Sequence, residues 1–437
     1  METKHTIGFS YKEMFFKVNL RLRGALFILY LGYILAMFHR VSIAIMADRL
    51  IEDLNLNLSQ MTIMAAVYFY PYALMQFPVG ILVDRIGPKR LVSAMLLLTS
   101  FASIIFAFAT TFQLSIISRL LIGLSVSCIF VPTEKFIASY FPAEIFSTLT
   151  SLLVFSGIIG ILCASVPLAF LVELLDWRTV YFMMGVIALV LSFATWFLLD
   201  DRQMLKQSEH KPKQISSKLA MKWVLSEWGM WPIAIRNFFG YGATMAFQSL
   251  WAGPYLMTIL GMNRISAGYL IMLLSLGQLL SLPFSGILSD KIFHSRKLPM
   301  LIGSLGSVFL WIPFTFYTSA LLTWHIALIF LLSGLLAGIS SGPIFTLMKE
   351  LYPTPLTGTA IGIGNFFNMA GAAIIPLLCS VAMAQSVQSS SALTASSFAI
   401  GFRYLLLAYG IAALATIFSK DTSLEKNASI SSEGYKI

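Results

Sequence analysis

Gly80-Ile81-Leu82-Val83-Asp84-Arg85 recurs 206 residues later as Gly286-Ile287-Leu288-Ser289-Asp290-Lys291. Each copy ends a long apolar run and leads into a basic turn, Lys89-Arg90 in the first and Arg296-Lys297 in the second. Further on, Gly123, Pro132, Pro142 and Gly160 align with Gly334, Pro343, Pro353 and Gly371, all at an offset of 211. Trp177-Arg178 with Gly185 then matches Phe402-Arg403 with Gly410 at an offset of 225. The jump falls where Ser- and Ala-rich residues around 385–398 lengthen the second copy. Chance does not hold one offset through four Gly/Pro positions across two apolar runs. The chain is a tandem duplication read in one direction.

What is duplicated is apolar. Hydrophobic residues make up 58% of 437 positions and charged residues 11%, with a mean hydropathy of +0.84. A soluble chain of this length needs more charge to cover its surface, whereas lipid accepts apolar side chains outward. A spanning helix takes ~20 residues to cross a core ~30 Å thick, and in lipid the backbone must satisfy its own hydrogen bonds. Runs this long are therefore helices. The N-terminal half holds six, at 24–48, 60–83, 91–110, 112–134, 146–172 and 178–199. The C-terminal half holds six more, at 232–258, 266–289, 299–319, 323–347, 357–383 and 401–419. The expectation is an all-α membrane protein of twelve transmembrane helices in two pseudo-symmetric six-helix bundles, 1–199 and 232–419. Between them 200–231 reads as a cytoplasmic linker, with Lys206, Lys211, Lys213, Lys218 and Lys222, and 420–437 as a poorly ordered tail.

Charge sets orientation. With both termini inside, 22 of the 29 Lys and Arg residues fall in inner segments. Arg49, Arg178, Arg264 and Arg403 fall outside, and Arg40, Arg119 and Arg236 within helices. That bias satisfies the positive-inside rule and accounts for the net charge of +10 without nucleic acid. The long first apolar run has no small-residue cleavage site, so it reads as a retained helix, and a bacterial inner membrane is the expected location. Cys128, Cys163 and Cys379 lie inside apolar runs, as packing residues and not metal ligands. No phosphate-binding Gly-Lys-Ser/Thr loop, paired histidines or catalytic arrangement occurs, so neither an enzyme nor a cofactor or metal is expected.

The residues Gly80-Ile81-Leu82-Val83-Asp84-Arg85-Ile86-Gly87-Pro88-Lys89-Arg90 resemble the signature loop of the major facilitator superfamily, and Arg119-Leu120-Leu121-Ile122-Gly123 resembles its fourth-helix motif. The resemblance covers essentially the whole chain and implies that family's fold, two bundles rocking about a midplane site. Residues 38–90 look closest to the organic anion:cation symporters: Arg40 with Ser42 and Ala44, then Glu52-Asp53, then Tyr68, Tyr70, Tyr72 and Gln76. Two positions depart from that group. Its galactonate- and glutamate-type carriers have an Asp where this chain has His39, and tend to carry a Glu where it has Val126.

Arg40 lies ~12 Å below the outer end of the first helix and Arg119 ~9 Å below that of the fourth. Two guanidinium forks at one level suit a carboxylate or phosphate. The blander reading has Arg119 bracing helices through carbonyls and Arg40 snorkelling outward. His39 titrates near neutrality in water and is a candidate for proton coupling, or a neutral hydrogen-bonding group. Tyr68, Tyr72 and Gln76 form one stripe on the second helix. Tyr241, Gln248 and Trp251 on the seventh helix, and Asn365 and Asn368 on the eleventh, complete the candidate substrate lining, with helix packing the alternative for each. Arg236, one turn inside the seventh helix, is expected to snorkel to the headgroups. Glu134-Lys135 and Lys349-Glu350 read as interfacial ion pairs.

Gly80, Asp84, Arg85, Gly87 and Arg90, with Gly286, Asp290 and Lys291 in the second copy, read as a conformational latch on the inner side, since a carboxylate adds nothing to topology. The expected function is secondary transport of a small organic anion by a monomer in the lipid bilayer, with H+ or Na+ symport favoured. The alternatives are an efflux antiporter and, from another class, a non-transporting solute sensor.

Overall fold

A computed structural model describes residues 19–76, 78–141, 143–200, 217–318, 321–385 and 394–422. The described residues are helical, with no strand among them. The N-terminal half comprises α1 (Leu20–Val41 continued by Ile43–Asp53) and α2 (Leu58–Ala66, Phe69–Met75 and the start of Pro78–Ala107). It continues with α3 (the rest of Pro78–Ala107), α4 (Phe112–Val126 and Phe130–Tyr140), α5 (Ala143–Cys163 and Val166–Leu175) and α6 (Trp177–Leu198). The C-terminal half comprises α7 (Met230–Arg236 through Tyr255–Ile259), α8 (Arg264–Ile287), α9 (Lys297–Phe316), α10 (Thr323–Leu351), α11 (Thr354–Gln385) and α12 (Ala395–Ile417).

Among the described residues nine helices are long and apolar enough to span a bilayer, and the bent pair within α5 makes ten. The other two spans, α2 and α7, are interrupted. Pauses at Val67–Tyr68 and Gln76 divide α2, and three π turns divide α7. The kink that separates α2 from α3 is at Gly87, whose φ of 80° suits a residue without Cβ, followed by Pro88. Exposed side chains such as Phe101, Phe193, Phe309 and Leu414 form the apolar outer surface that lipid covers.

Duplication is visible in the packing. A Cβ on Gly123 (α4) would lie 2.0 Å from the Tyr68 carbonyl oxygen (α2), and one on Gly334 (α10) 2.0 Å from that of Leu274 (α8). Likewise Gly160 (α5) faces the Ile34 carbonyl (α1) at 2.2 Å, and Gly371 (α11) the Phe238 carbonyl (α7) at 1.9 Å. The aligned glycines are therefore the points where helix backbones touch, in both halves.

Within the expected linker, Ser217–Ser226 forms a helix. Its Ala220 and Val224 bury against Met348 and Leu356, and the Tyr352 hydroxyl donates to the Val224 carbonyl at 3.0 Å. Apolar positions on one side of that segment account for the difference from a plain linker. Lys206, Lys211 and Lys213, the lengthened loop at 386–393 and the tail beyond Thr422 lie outside the described residues. Asp421 is described: its carboxylate accepts from Ser295 Oγ at 2.6 Å and from the Arg296 backbone at 3.0 Å, tying the start of the tail to the α8–α9 turn.

Candidate functional site: the gap between the halves

The halves meet at the end carrying the α1–α2 and α7–α8 turns. There Gly253 (α7) packs on Ala44 (α1), where a Cβ would sit 2.0 Å from the carbonyl oxygen. Thr62 Oγ1 (α2) bonds Ser380 Oγ (α11) at 2.9 Å, and Arg264 Nη2 (α8) pairs with Asp48 Oδ2 (α1) at 2.7 Å. Sequence reasoning assigned Arg264 only to an outer loop; it is buried and joins the halves.

Deeper in, two bonds span the gap. Arg40 Nη1 on α1 donates to the Tyr241 hydroxyl on α7 at 2.9 Å. Its guanidinium lies 4.9 Å from the Tyr72 ring centre, a cation–π contact, and its Nε is buried without a partner. Gln76 Oε1 on α2 accepts from Asn365 Nδ2 on α11 at 2.6 Å. Arg40, Tyr72, Gln76, Tyr241 and Asn365 are thus gathered at the seam, and Arg40 does not snorkel. Asn368 is half-buried three residues along α11.

Arg119 stands elsewhere. It is fully buried inside the N-terminal half, donating from Nη1 to the His39 carbonyl at 2.9 Å over the Tyr68 ring at 4.9 Å. The acceptor lies three residues before Ser42, where α1 pauses, so this guanidinium braces the weakest point of α1. Tyr68 itself donates to the Ala36 carbonyl at 3.2 Å. In this conformation Arg119 and Tyr68 present no surface to the gap. His39 is fully buried too, with Nε2 3.3 Å from Ser103 Oγ on α3 and its ring 5.5 Å from that of Tyr181 on α6. Adjacent positions on a helix point ~100° apart, so Arg40 reaches the seam while His39 is turned into its own bundle. Tyr181, which also bonds Ser42 Oγ at 2.7 Å, carries no signal in the sequence.

Gln248 and Trp251 face into the C-terminal half. Gln248 Nε2 donates to Ser275 Oγ at 3.0 Å and lines a cavity of about 30 Å³ with Thr244, Gln278, Trp311, Ser333 and Tyr409. Trp251 packs on Phe398, ring centres 6.1 Å apart. Arg236 departs from expectation. Instead of snorkelling, it donates from Nη2 to Ser340 Oγ on α10 at 2.8 Å and from Nη1 to Asn237 Oδ1 at 3.4 Å. Hydroxyl and amide partners on the inner faces of α7 and α10 outcompete the headgroups.

At the opposite end each half closes on its own signature loop. Asp84 pairs with Lys135 on α4. Arg296, in the turn after α8, pairs with Glu350 on α10 at 2.8 Å and bonds Ser289 Oγ at 2.8 Å. Lys135 and Glu350 thus have partners in the signature-loop regions, and the Lys349 side chain lies outside the described residues. Gly87 makes the kink, Arg85 and Arg90 are exposed, and Gly80 and Gly286 have nothing within 4 Å of an added Cβ. The backbone of Asp290 and Lys291 lies in the π turn Leu288–Ile292; their side chains lie outside the described residues.

This architecture has counterparts. The chain is 29% identical to an uncharacterised transporter, YybO, of Bacillus subtilis over 54% of its own length and 57% of that protein's. It is 23% identical to a probable sulfoacetate transporter of Cupriavidus necator, covering 78% of this chain and 83% of the relative. The probable galactarate/D-glucarate transporter GarP of Escherichia coli K12 gives the same three figures. Among solved structures, a bacterial homologue of the human lysosomal transporter Spinster, inward-facing and unoccupied, superposes with a TM-score of 0.74 at 15% identity, covering 92% of this chain and 98% of that one. A D-xylose–proton symporter gives 0.72 at 17% identity, covering 91% and 97%. The family model of the Major Facilitator Superfamily matches residues 29–376. With that match, the helical halves and the polar seam between them, the chain belongs to the major facilitator superfamily and is a transporter of small organic solutes, not an enzyme.

Proposed function

We propose that this transporter imports a small organic anion across a bacterial inner membrane, both termini cytoplasmic, by alternating access coupled to symport of a cation. One observation carries the reading. Arg40 is a membrane-embedded guanidinium at the junction of the halves whose contacts, a tyrosine hydroxyl and a tyrosine ring, are neutral. A charge in that position is expensive to keep unless it serves a polar cavity, and its planar fork fits a carboxylate or sulfonate. The similarity to transporters named for sulfoacetate and for galactarate and glucarate, all organic acids, supports the same class.

Tyr72, Gln76, Tyr241 and Asn365 supply neutral donors around Arg40, with Asn368 beside them, and the signature loops act as inner latches. Arg119 and Tyr68 hold α1 in the shape that presents Arg40. Gln248 and Trp251 back the seam from the C-terminal bundle. The co-transported cation is H+ or Na+, His39 acts as the neutral hydrogen-bonding group that its burial against Ser103 and Tyr181 supports, and the working unit is a monomer. Purified protein in proteoliposomes, given an inward proton or sodium gradient and a panel of organic acids, tests this. Gradient-driven accumulation of an acid that Arg40→Gln abolishes is the expected result. Uptake of uncharged solutes alone, or acid uptake indifferent to Arg40, overturns it.

A further inference from the structure

Arg236 is a membrane-embedded cation with no task at the level of Arg40. It is held facing inward by Ser340 and Asn237, and Asn237 Nδ2 is fixed in turn by the Gly364 carbonyl on α11 at 3.2 Å. None of these partners carries negative charge, and no carboxylate pairs with Arg236 among the described residues. The residue beside Gly364 is Asn365, which bridges to Gln76 across the gap. Through Asn237 and the Gly364 carbonyl, Arg236 is linked to α11 one residue from the bond that crosses the gap.

The winding of α7 reinforces this. Residues five apart on a regular α-helix point ~140° apart. Asn237–Tyr241, however, is a π turn, whose i→i+5 bonding brings the fifth residue back over the first. Arg236 and Tyr241 therefore stand on nearly one face of α7, about one helical turn of 5.4 Å apart. Tyr241 is where Arg40 docks. Two guanidinium groups, one from each half, thus converge on one face of α7 with neutral partners only.

We infer that Arg236 is a second anion anchor and that the substrate is a dianion, one end on Arg40 and the other on Arg236. The inference rests on the proposed role of Arg40 as the first anchor. A dianion compensates both cations, whereas a monoanion leaves one of them uncompensated in a low-dielectric gap. Because the anchors sit on different halves, a dianion also ties them together, linking occupancy to closure.

The test uses proteoliposomes and matched pairs differing by one anionic group: D-glucarate with D-gluconate, sulfoacetate with methanesulfonate, succinate with butyrate. Wild type is expected to favour at least one dianion over its partner by about tenfold. Arg236→Gln should shrink that ratio to about twofold or less, dianion uptake falling and monoanion uptake not falling with it. Arg40→Gln should lose both members. Should Arg236→Gln not fold, judged by gel filtration in detergent, Ser340→Ala must lower the same ratio. A ratio unmoved by these variants, or both members falling together, overturns the second anchor and leaves Arg40 standing. Uptake of none of the six acids overturns both assignments.

Discussion

The two halves share a backbone plan and differ in what they place at its centre. Gly123 against the Tyr68 carbonyl repeats as Gly334 against that of Leu274, with the same 2.0 Å spacing. At equivalent positions the side chains diverge. The offset of 211 turns Arg119 into Phe330, and the offset of 206 turns Tyr72 into Gln278 and Gln76 into Leu282. The α1–α7 contacts, Ile34 with Gly160 and Phe238 with Gly371, fix an offset of 204 that turns Arg40 into Thr244. By the same offset Arg236 corresponds to Gly32. Backbone contacts between helices leave no room for variation, whereas seam positions vary freely. Symmetry builds the gap, and asymmetry sets the chemistry of its walls.

The sharpest break of that comparison pairs Arg40 with Thr244. Arg40→Gln should cut anion uptake by about a hundredfold or more, the loss of a charge-assisted contact worth roughly 3 kcal/mol. Thr244→Val, which removes a hydroxyl bonded to the Gly240 carbonyl and the Tyr409 hydroxyl, should cost about threefold or less. Initial uptake rates in proteoliposomes measure both. Equal losses would mean that the halves contribute alike and that the asymmetry carries no function.

Gly253 tests whether the halves must meet. A valine there drives its Cβ into the Ala44 carbonyl. Overpacking of this kind costs roughly 1–3 kcal/mol, enough to slow transport about tenfold or more by holding the Thr62 end apart. Thr62→Cys should then react faster with a membrane-impermeant maleimide in the Gly253→Val background. Unchanged labelling would mean that this end is not a gate.

Much of this was legible in the sequence, because Gly and Pro spacing records where backbones touch or bend. The duplication, the twelve spans and the seam residues Arg40, Gln76, Tyr241 and Asn365 all follow from periodicity and intramembrane polarity. What the sequence hid depends on rotation. Arg119 and His39 sit at suitable depths yet turn into their own bundle, and one residue of register decides that. Arg236 lies near enough to the interface to snorkel, and only the π turn after it and Ser340 opposite explain why it does not. Partners from distant elements, such as Tyr181 for Ser42 or Arg264 for Asp48, have no local pattern to betray them.

Gly123 and Gly334 sharpen the symmetric side of the comparison. Both lie against a carbonyl oxygen with no flexible side chain to give way. Gly123→Ala and Gly334→Ala should therefore destabilise the protein to a similar degree, by about 1–3 kcal/mol each. Melting temperatures in detergent, read by intrinsic tryptophan fluorescence, give the comparison. A large drop for one and none for the other would show that the halves carry unequal mechanical load.

The smallest effect belongs to the Asp48–Arg264 pair. Arg264 is buried but the Asp48 side chain is 48% exposed, so water and salt screen the pair. Its worth is then at most about 1 kcal/mol, or roughly a fivefold change in the balance between states. The pair forms where the halves meet, so Asp48→Asn should shift the balance toward opening at that end, and raising salt should imitate it in wild type. The charge-swapped double variant, Asp48→Arg with Arg264→Asp, should recover part of the loss, with Thr62→Cys labelling as the readout. If labelling ignores both salt and Asp48→Asn while responding to Gly253→Val, the seal there is steric. Backbone fit at Gly253 would then set which end is closed, and the ion pair would serve to guide α8 onto α1.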